Sequence, residues 1–275
     1  MPRKEVIMIK YVWKFILFIV LITAVWIAYG MMNVYEYAPR EGASQIEPDP
    51  LQQTEIDREN KGIDDSYLIM IAGDSIARGR GDQSGLGLAI SFPEEINQRP
   101  TEVLNLGADG LVSSELYGMI SRPDLEEPLQ NAEVIILSIG GNDLRRVAFL
   151  ALQGEEITPN SMEYREILSQ YLEQLQEVRD YIRNRNQDTR IILIGLFNPF
   201  EAEEISDYLP RDLQLDILFD WNYQTQLFME QDPMSLFLPT YDLFKWNSAE
   251  YLSFDLIHPT QMGYRVLSDR IADLF

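Results

Sequence analysis

The chain has 275 residues, 46% of them hydrophobic and 24% charged, enough apolar chain to close around a sizeable core in one or two domains. Its 44 acidic against 22 basic residues give a formal net charge of −22, which excludes electrostatic binding of nucleic acid because such a surface repels phosphate. With no Cys and a single His, His258, the sequence has no disulfide, Cys nucleophile, lipid-modified N-terminal Cys or multi-His metal site, and any chemistry needing one imidazole has one place to put it.

Residues 1–32 hold four basic side chains and one acidic, a local balance of +3, so the remainder carries 18 against 43, a balance of −25. Within this stretch Phe15 to Met32 is a run of eighteen uncharged residues. As a helix it would extend about 27 Å, close to the roughly 30 Å hydrocarbon thickness of a bilayer. Trp13, Tyr11, Trp26 and Tyr29 lie toward its ends, where amphipathic rings favour the interface. We expect residues 1–33 to be a short cytoplasmic tail and an uncleaved transmembrane anchor, with the acidic remainder outside the cytoplasm by the positive-inside bias. Secretion after cleavage near Ala28-Tyr29-Gly30 is the competing expectation. Residues 34–66, rich in carboxylates and carrying Pro48 and Pro50, read as an acidic linker.

From Tyr67 onward apolar runs alternate with helical patterns. Tyr67–Ala72, Glu102–Leu106, Glu133–Ile139 and Arg190–Leu196 read as buried strands, and Ser235–Pro239 as a weaker fifth. Met162 to Arg185 places Ile167, Leu168, Tyr171, Leu172, Leu175, Val178 and Ile182 on one helical face, and Arg211–Met229 and Gln261–Leu274 read similarly. This alternation predicts an α/β fold over residues 67–275: a mostly parallel five-stranded sheet covered by helices on both faces, a flavodoxin-like three-layer sandwich. Reacting groups in such sheets gather at the carboxyl ends of the strands.

Those ends carry Gly73-Asp74-Ser75-Ile76, then Gly107, then Gly140-Gly141-Asn142-Asp143. Asp255-Leu256-Ile257-His258-Pro259 stands before the last helix. The four blocks, in this order, resemble the SGNH/GDSL hydrolase superfamily, with Ile76 in place of the signature Leu. The surroundings of residues 73–87 are most similar to its membrane-attached lipase/acylhydrolase branch from Gram-positive bacteria. The resemblance implies Ser75 as nucleophile, His258 as general base and Asp255 as the group that orients it. It further implies an oxyanion hole built from the Ser75 and Gly107 backbone N–H groups and the Asn142 amide, with no metal and no cofactor.

The chemistry of these residue types agrees with those roles. A Ser hydroxyl needs a base to take its proton, and imidazole suits that task near neutral pH. Asp255 and His258 are three apart, a spacing that a helical turn would put on one face. A glycine permits close backbone approach, and an Asn amide can donate to a developing oxyanion. Each residue also has a plainer reading: Ser75 as a helix cap, Gly107 and Asn142 as turn residues, Asp255 as the cap of the last helix. The stretch Gly79 to Gly85 superficially resembles a dinucleotide-binding loop, but its spacing and position suit a loop beside the site, with Arg78 and Arg80 near substrate. The expected activity is an anchored serine esterase, or acylhydrolase, acting on a lipid or acylated saccharide. The rivals are a carbohydrate or cell-wall O-deacetylase and a catalytically silent binding module. The membrane, through the N-terminal helix, is the one further partner expected, with no nucleic acid and no protein partner.

Overall fold

A computed structural model describes residues 66–89, 95–96, 99–153, 155, 157–198 and 211–274. The expected anchor over Phe15–Met32 and the linker up to Asp65 lie outside the described residues, and among the described residues no helix is long and apolar enough to cross a membrane.

The described residues form an α/β unit around a six-stranded sheet. Its strands are β1 (Tyr67–Gly73), β2 (Glu95–Ile96), β3 (Arg99–Asn105), β4 (Val134–Ser138), β5 (Arg190–Ile194) and β6 (Ser235–Leu238). They lie in the order β2-β3-β1-β4-β5-β6. The five strands anticipated from apolar runs are all parallel to one another. Counted in chain order, those five run 2-1-3-4-5, the flavodoxin-like arrangement. The sixth strand is a correction to the five-stranded expectation. It is a two-residue antiparallel edge that pairs Glu95 with Pro100 and Ile96 with Arg99, too short to leave a period in the sequence.

The side-chain period of two divides each central strand between two cores. Leu68, Met70 and Ala72 of β1 point to one face with Ile135, Leu137, Ile191 and Leu193, while Tyr67, Ile69 and Ile71 point to the other with Val134, Ile136 and Ile192. The first face is covered by α2 (Ser113–Ile120), α3 (Glu126–Asn131), α4 (Gly141–Leu152), α5 (Met162–Arg183) and α6 (Arg211–Met229), through Leu116, Leu129, Val147, Tyr171 and Trp221. The second is covered by α7 (Tyr241–Lys245) and α9 (Gln261–Ala272), through Phe244, Tyr264, Leu267 and Ile271; the short α1 (Ser75–Arg78) adds Ala77. α8 (Ser248–Tyr251) precedes the last loop. Of the anticipated helices, Arg211–Met229 has the expected bounds and the other two end two residues earlier.

The chain leaves β1 over the second face, reaches β3, and returns over the first face through α2 and α3 to β4 on the far side of β1. The crossing directions therefore diverge between β1 and β4, the switch point at which open α/β sheets form crevices.

Candidate active site

The end of β1 is shaped by close contact with β4. Gly73 has φ +136°, and a Cβ there would lie 1.9 Å from the Ser138 carbonyl oxygen; only glycine fits that conformation without strain. The next residue, Asp74, donates its N–H to the same carbonyl at 2.8 Å. Its Oδ1 accepts from Ile76 N–H at 3.0 Å and from Ser138 Oγ at 3.1 Å. Asp74, not Ser75, is thus the N-cap of α1. Ser75 becomes the first residue of the helix, with an N–H that has no intrahelical acceptor and a hydroxyl released from capping. Burial pushes the Asp74 carboxyl up to about 6, against the pull of its hydrogen bonds to Ile76 and Ser138.

Across from Ser75 stands the loop Ser253–His258. His258 Nε2 lies 2.8 Å from Ser75 Oγ, and its Nδ1 lies 2.6 Å from Asp255 Oδ2. The other carboxylate oxygen, Oδ1, accepts from Ser253 Oγ at 2.7 Å and from the N–H groups of Ile257 and His258, both at 3.0 Å. Partial burial favours the protonated acid, but these hydrogen bonds outweigh it and hold Asp255 well below the usual carboxylate range. The helical turn expected from the three-residue spacing is corrected here. The segment is a non-helical turn in which Leu256 adopts φ 59° and Ser253 N–H donates to the His258 carbonyl at 2.8 Å. The carboxylate replaces the missing backbone acceptors, as Asx turns do. Nor does Asp255 cap the last helix: Thr260 does, accepting from Gly263 N–H.

The two further oxyanion candidates reach the same region in different states. Gly107 is pressed against the C-terminal end of α1; a Cβ there would lie 2.1 Å from Arg78 N. Its own N–H, however, donates to Asn105 Oδ1 at 2.8 Å, while Asn105 Nδ2 donates to the Ala77 carbonyl. The Gly107 N–H is therefore committed within the protein. Asn142, in the first turn of α4, uses one amide proton on the Leu111 carbonyl at 2.9 Å, which fixes the amide plane and leaves its second proton for another acceptor. Beside it the buried Asp143 accepts from Ser113 Oγ at 2.7 Å and from Ser113 N–H, so α2 and α4 are tied together under the site.

Ser75, Asn142 and His258 also line a cavity of about 300 Å³ whose walls are mainly apolar, with Leu144, Val147 and Ala148 from α4, Leu196 after β5, and Ile217 and Leu218 from α6, beside the polar Arg145 and Asn198. The sequence reading missed this cavity. Its signal was the spacing Leu144, Val147, Ala148, Ala151 on one face of α4, a pattern that serves a core or a pocket lining equally. On the other side of Ser75, Arg78 and Arg80 both contact Asp109 Oδ2, at 2.6 and 3.1 Å. The Gly79–Gly85 loop winds around Asp82, whose carboxylate accepts from Ser84, Leu86 and Gly87. Gly81 of that loop packs on Pro259 and His258, and Tyr264 donates to the Arg80 carbonyl at 2.9 Å. Among the described residues no group of three or more acidic or His side chains is arranged to hold a metal ion.

A chain of hydrogen bonds from carboxylate through imidazole to a Ser hydroxyl can transfer the hydroxyl proton and make the oxygen a nucleophile. Comparison with known proteins agrees with that chemistry. The chain is 25% identical over 218 residues to YpmR of Bacillus subtilis (strain 168), covering 74% of this chain and 79% of that protein. It is 26% identical over 185 residues to the spore germination lipase LipC of Bacillus licheniformis, covering 65% of this chain and 79% of that one. In fold it is similar to the lipase Lip_vut3 from a goat rumen metagenome, with TM-score 0.60 and 23% identity over 75% of this chain and 96% of that one. The acetylxylan esterase Axe2 of Geobacillus stearothermophilus shares the fold at TM-score 0.54 and 18% identity, over 77% of this chain and 94% of that one. Residues 71–266 match the model of the GDSL-like lipase/acylhydrolase family: the chain belongs to that family, as an ester-hydrolysing enzyme.

Proposed function

We propose that this enzyme is a serine esterase that cleaves carboxylic esters with an acyl chain longer than acetyl, through an acyl-enzyme on Ser75. The observation that carries the reading is the position of the only imidazole in the chain, 2.8 Å from Ser75 Oγ and 2.6 Å from Asp255. Ser75 Oγ attacks the ester carbonyl carbon and its proton passes to His258 Nε2. Asp255 fixes the imidazole so that Nδ1 keeps its proton, and it stabilises the imidazolium that forms. The carbonyl oxygen, now negative, accepts from the Ser75 N–H and the second Asn142 amide proton; one such donor is typically worth about 2.7–4 kcal/mol to the transition state. Collapse breaks the bond to the alcohol oxygen, which leaves with the proton from His258. Water then repeats the sequence on the acyl-enzyme, releasing the acid and restoring Ser75.

The apolar cavity supports the acyl-chain part of the reading. Its 300 Å³ compares with about 30 Å³ for one water molecule in the liquid, far more than an acetyl methyl fills. An O-deacetylase would leave that apolar surface unused, and a silent binding module would have no use for a Ser, His and Asp in hydrogen-bond register. The proposal includes a single-pass anchor, with the hydrolase domain outside the cytoplasm. The uncharged run Phe15–Met32 behind a +3 flank supports it.

Nitrophenyl esters from acetate to laurate test the catalytic reading. We expect kcat/KM to rise from acetate to medium chains and to vanish in Ser75→Ala. A maximum at acetate would overturn the acyl-chain assignment, and full activity in Ser75→Ala would overturn the mechanism.

A further inference from the structure

We propose that a groove on the flank of α4 opposite the cavity is the subsite for an apolar chain on the alcohol part of the ester. The proposal deepens the esterase reading and rests on it. The substrates it assigns are esters with an apolar chain on each side of the carbonyl.

α4 presents two different faces beside Ser75. Leu144, Val147, Ala148 and Ala151, spaced by three and four, line the cavity. Arg146, Phe149 and Leu150 point to the opposite side of the helix and line a groove of about 420 Å³, closed by Val112 and by Ile167 of α5. Asn142 and Arg145 line both depressions. The groove thus begins at the oxyanion donor itself, and Arg145 stands on the ridge between groove and cavity.

The groove lies on the side to which the alcohol must run. In the strand order β3-β1-β4-β5, the cavity is walled by the end of β5 and by α6, while Val112 follows β3 on the opposite side. An ester carbonyl at Ser75, with its oxygen toward Asn142 and its acyl chain in the cavity, directs the alcohol toward β3. The Leu111 carbonyl, which holds the Asn142 amide at 2.9 Å, directly precedes Val112. The alcohol therefore passes the Asn142–Leu111 contact and meets the groove at its Val112 wall.

The walls suit a chain rather than a polar group. Val112, Phe149, Leu150 and Ile167 are aliphatic or aromatic, and among the described residues no carboxylate lines the groove. Phe149 is 60% exposed beside it, apolar surface that an alkyl chain would take out of water. Arg145 and Arg146 are exposed as well. Their methylene stems can cover one side of a chain while the guanidinium heads stay in water.

The test uses the full chain and two series of soluble esters. The first holds the acid at butanoate and runs the alcohol from methanol through butanol to hexanol. These alkoxides are leaving groups of nearly equal quality, so chain binding is what changes. The second holds methanol and lengthens the acid. A fully buried methylene is worth about fourfold, and in a groove open on one side kcat/KM should rise about tenfold or more from methyl to hexyl butanoate. Val112→Trp, which fills the groove, should bring the hexyl-to-methyl ratio close to one and leave the acid-length preference in place. Phe149→Ala, a change at an exposed position, should lower the ratio without abolishing it. Ala148→Trp should alter the acid-length preference and keep the hexyl preference. A variant that merely loosens the helix lowers all esters together, and a hexyl-to-methyl ratio unchanged in both Val112→Trp and Phe149→Ala overturns the proposal. Loss of the hexyl preference in Ala148→Trp also overturns it, because the alcohol would then occupy the cavity. Cleavage of the butanoates with no gain from methyl to hexyl sinks the subsite and leaves the esterase standing. Failure to cleave any of these esters, with no fluorophosphonate labelling of Ser75, sinks both.

Discussion

The Asp74 carboxyl, 4% exposed beneath the Ser75 turn, should leave a measurable mark on stability. Burial holds it at about 6, against 3.8 for the freely solvated group. The folded state therefore keeps a proton that the unfolded chain has already released, and the unfolded chain binds fewer protons between those values. Stability contributed at this position is consequently full below about pH 3.8 and is lost as pH rises toward about 6. At about 1.36 kcal/mol per pH unit, the displacement is worth roughly 3 kcal/mol. Asp74→Asn removes the titration and keeps an N-cap of equal rank, able to accept from Ile76 N–H. The variant should thus gain about 3 kcal/mol relative to wild type between pH 3.5 and pH 7. For a domain of this size that is a swing of about 6–12 °C in the Tm difference. Urea unfolding of both proteins at intervals across this range measures it, and other carboxylates largely cancel in the comparison. Any constant offset from the substitution is irrelevant. A stability difference that stays flat from pH 3.5 to pH 7 would refute the reasoning, as would one that moves in the opposite direction.

Other expectations concern the site directly. Asp255→Asn should lower kcat by about 10⁴-fold with little change in fold, because an amide opposite Nδ1 favours the wrong tautomer; ester turnover and circular dichroism together check this. Ala148→Trp, which fills the cavity between α4 and α6, should move the chain-length optimum toward short acyl groups in the nitrophenyl series. Gly73→Ala should destabilise by about 3 kcal/mol or more, since the new Cβ meets a backbone oxygen at an unfavourable φ; thermal melts read this out.

What the sequence revealed and what it concealed follow from the range of the interactions involved. Strands buried on both faces, such as Tyr67–Gly73, leave continuous apolar runs, and glycines at their ends mark where the backbone must turn. Those signals are local. The Ser75–His258 contact joins residues 183 apart, and only a match to motif order connected them in advance. Asp255–His258 suggested a helix by its spacing, yet side-chain hydrogen bonds from Asp255 hold a turn that backbone periodicity does not encode. The Gly107 N–H, an oxyanion donor by motif, donates to Asn105 Oδ1 two residues earlier, a side-chain contact that motif order does not encode. The cavity beside Ser75 was concealed for a different reason: its α4 lining has the same spacing as a core face, and its other walls come from α6 and the end of β5, far away in sequence.

The central claim is that Ser75 is a nucleophile activated by His258. Its most direct measurement is covalent labelling of the native protein with a fluorophosphonate, followed by mass mapping of the modified peptide. The account predicts one stoichiometric adduct on Ser75, absent in Ser75→Ala and strongly slowed in His258→Ala. A protein that takes no label under conditions where it is folded, or takes it elsewhere and equally well in Ser75→Ala, would contradict it.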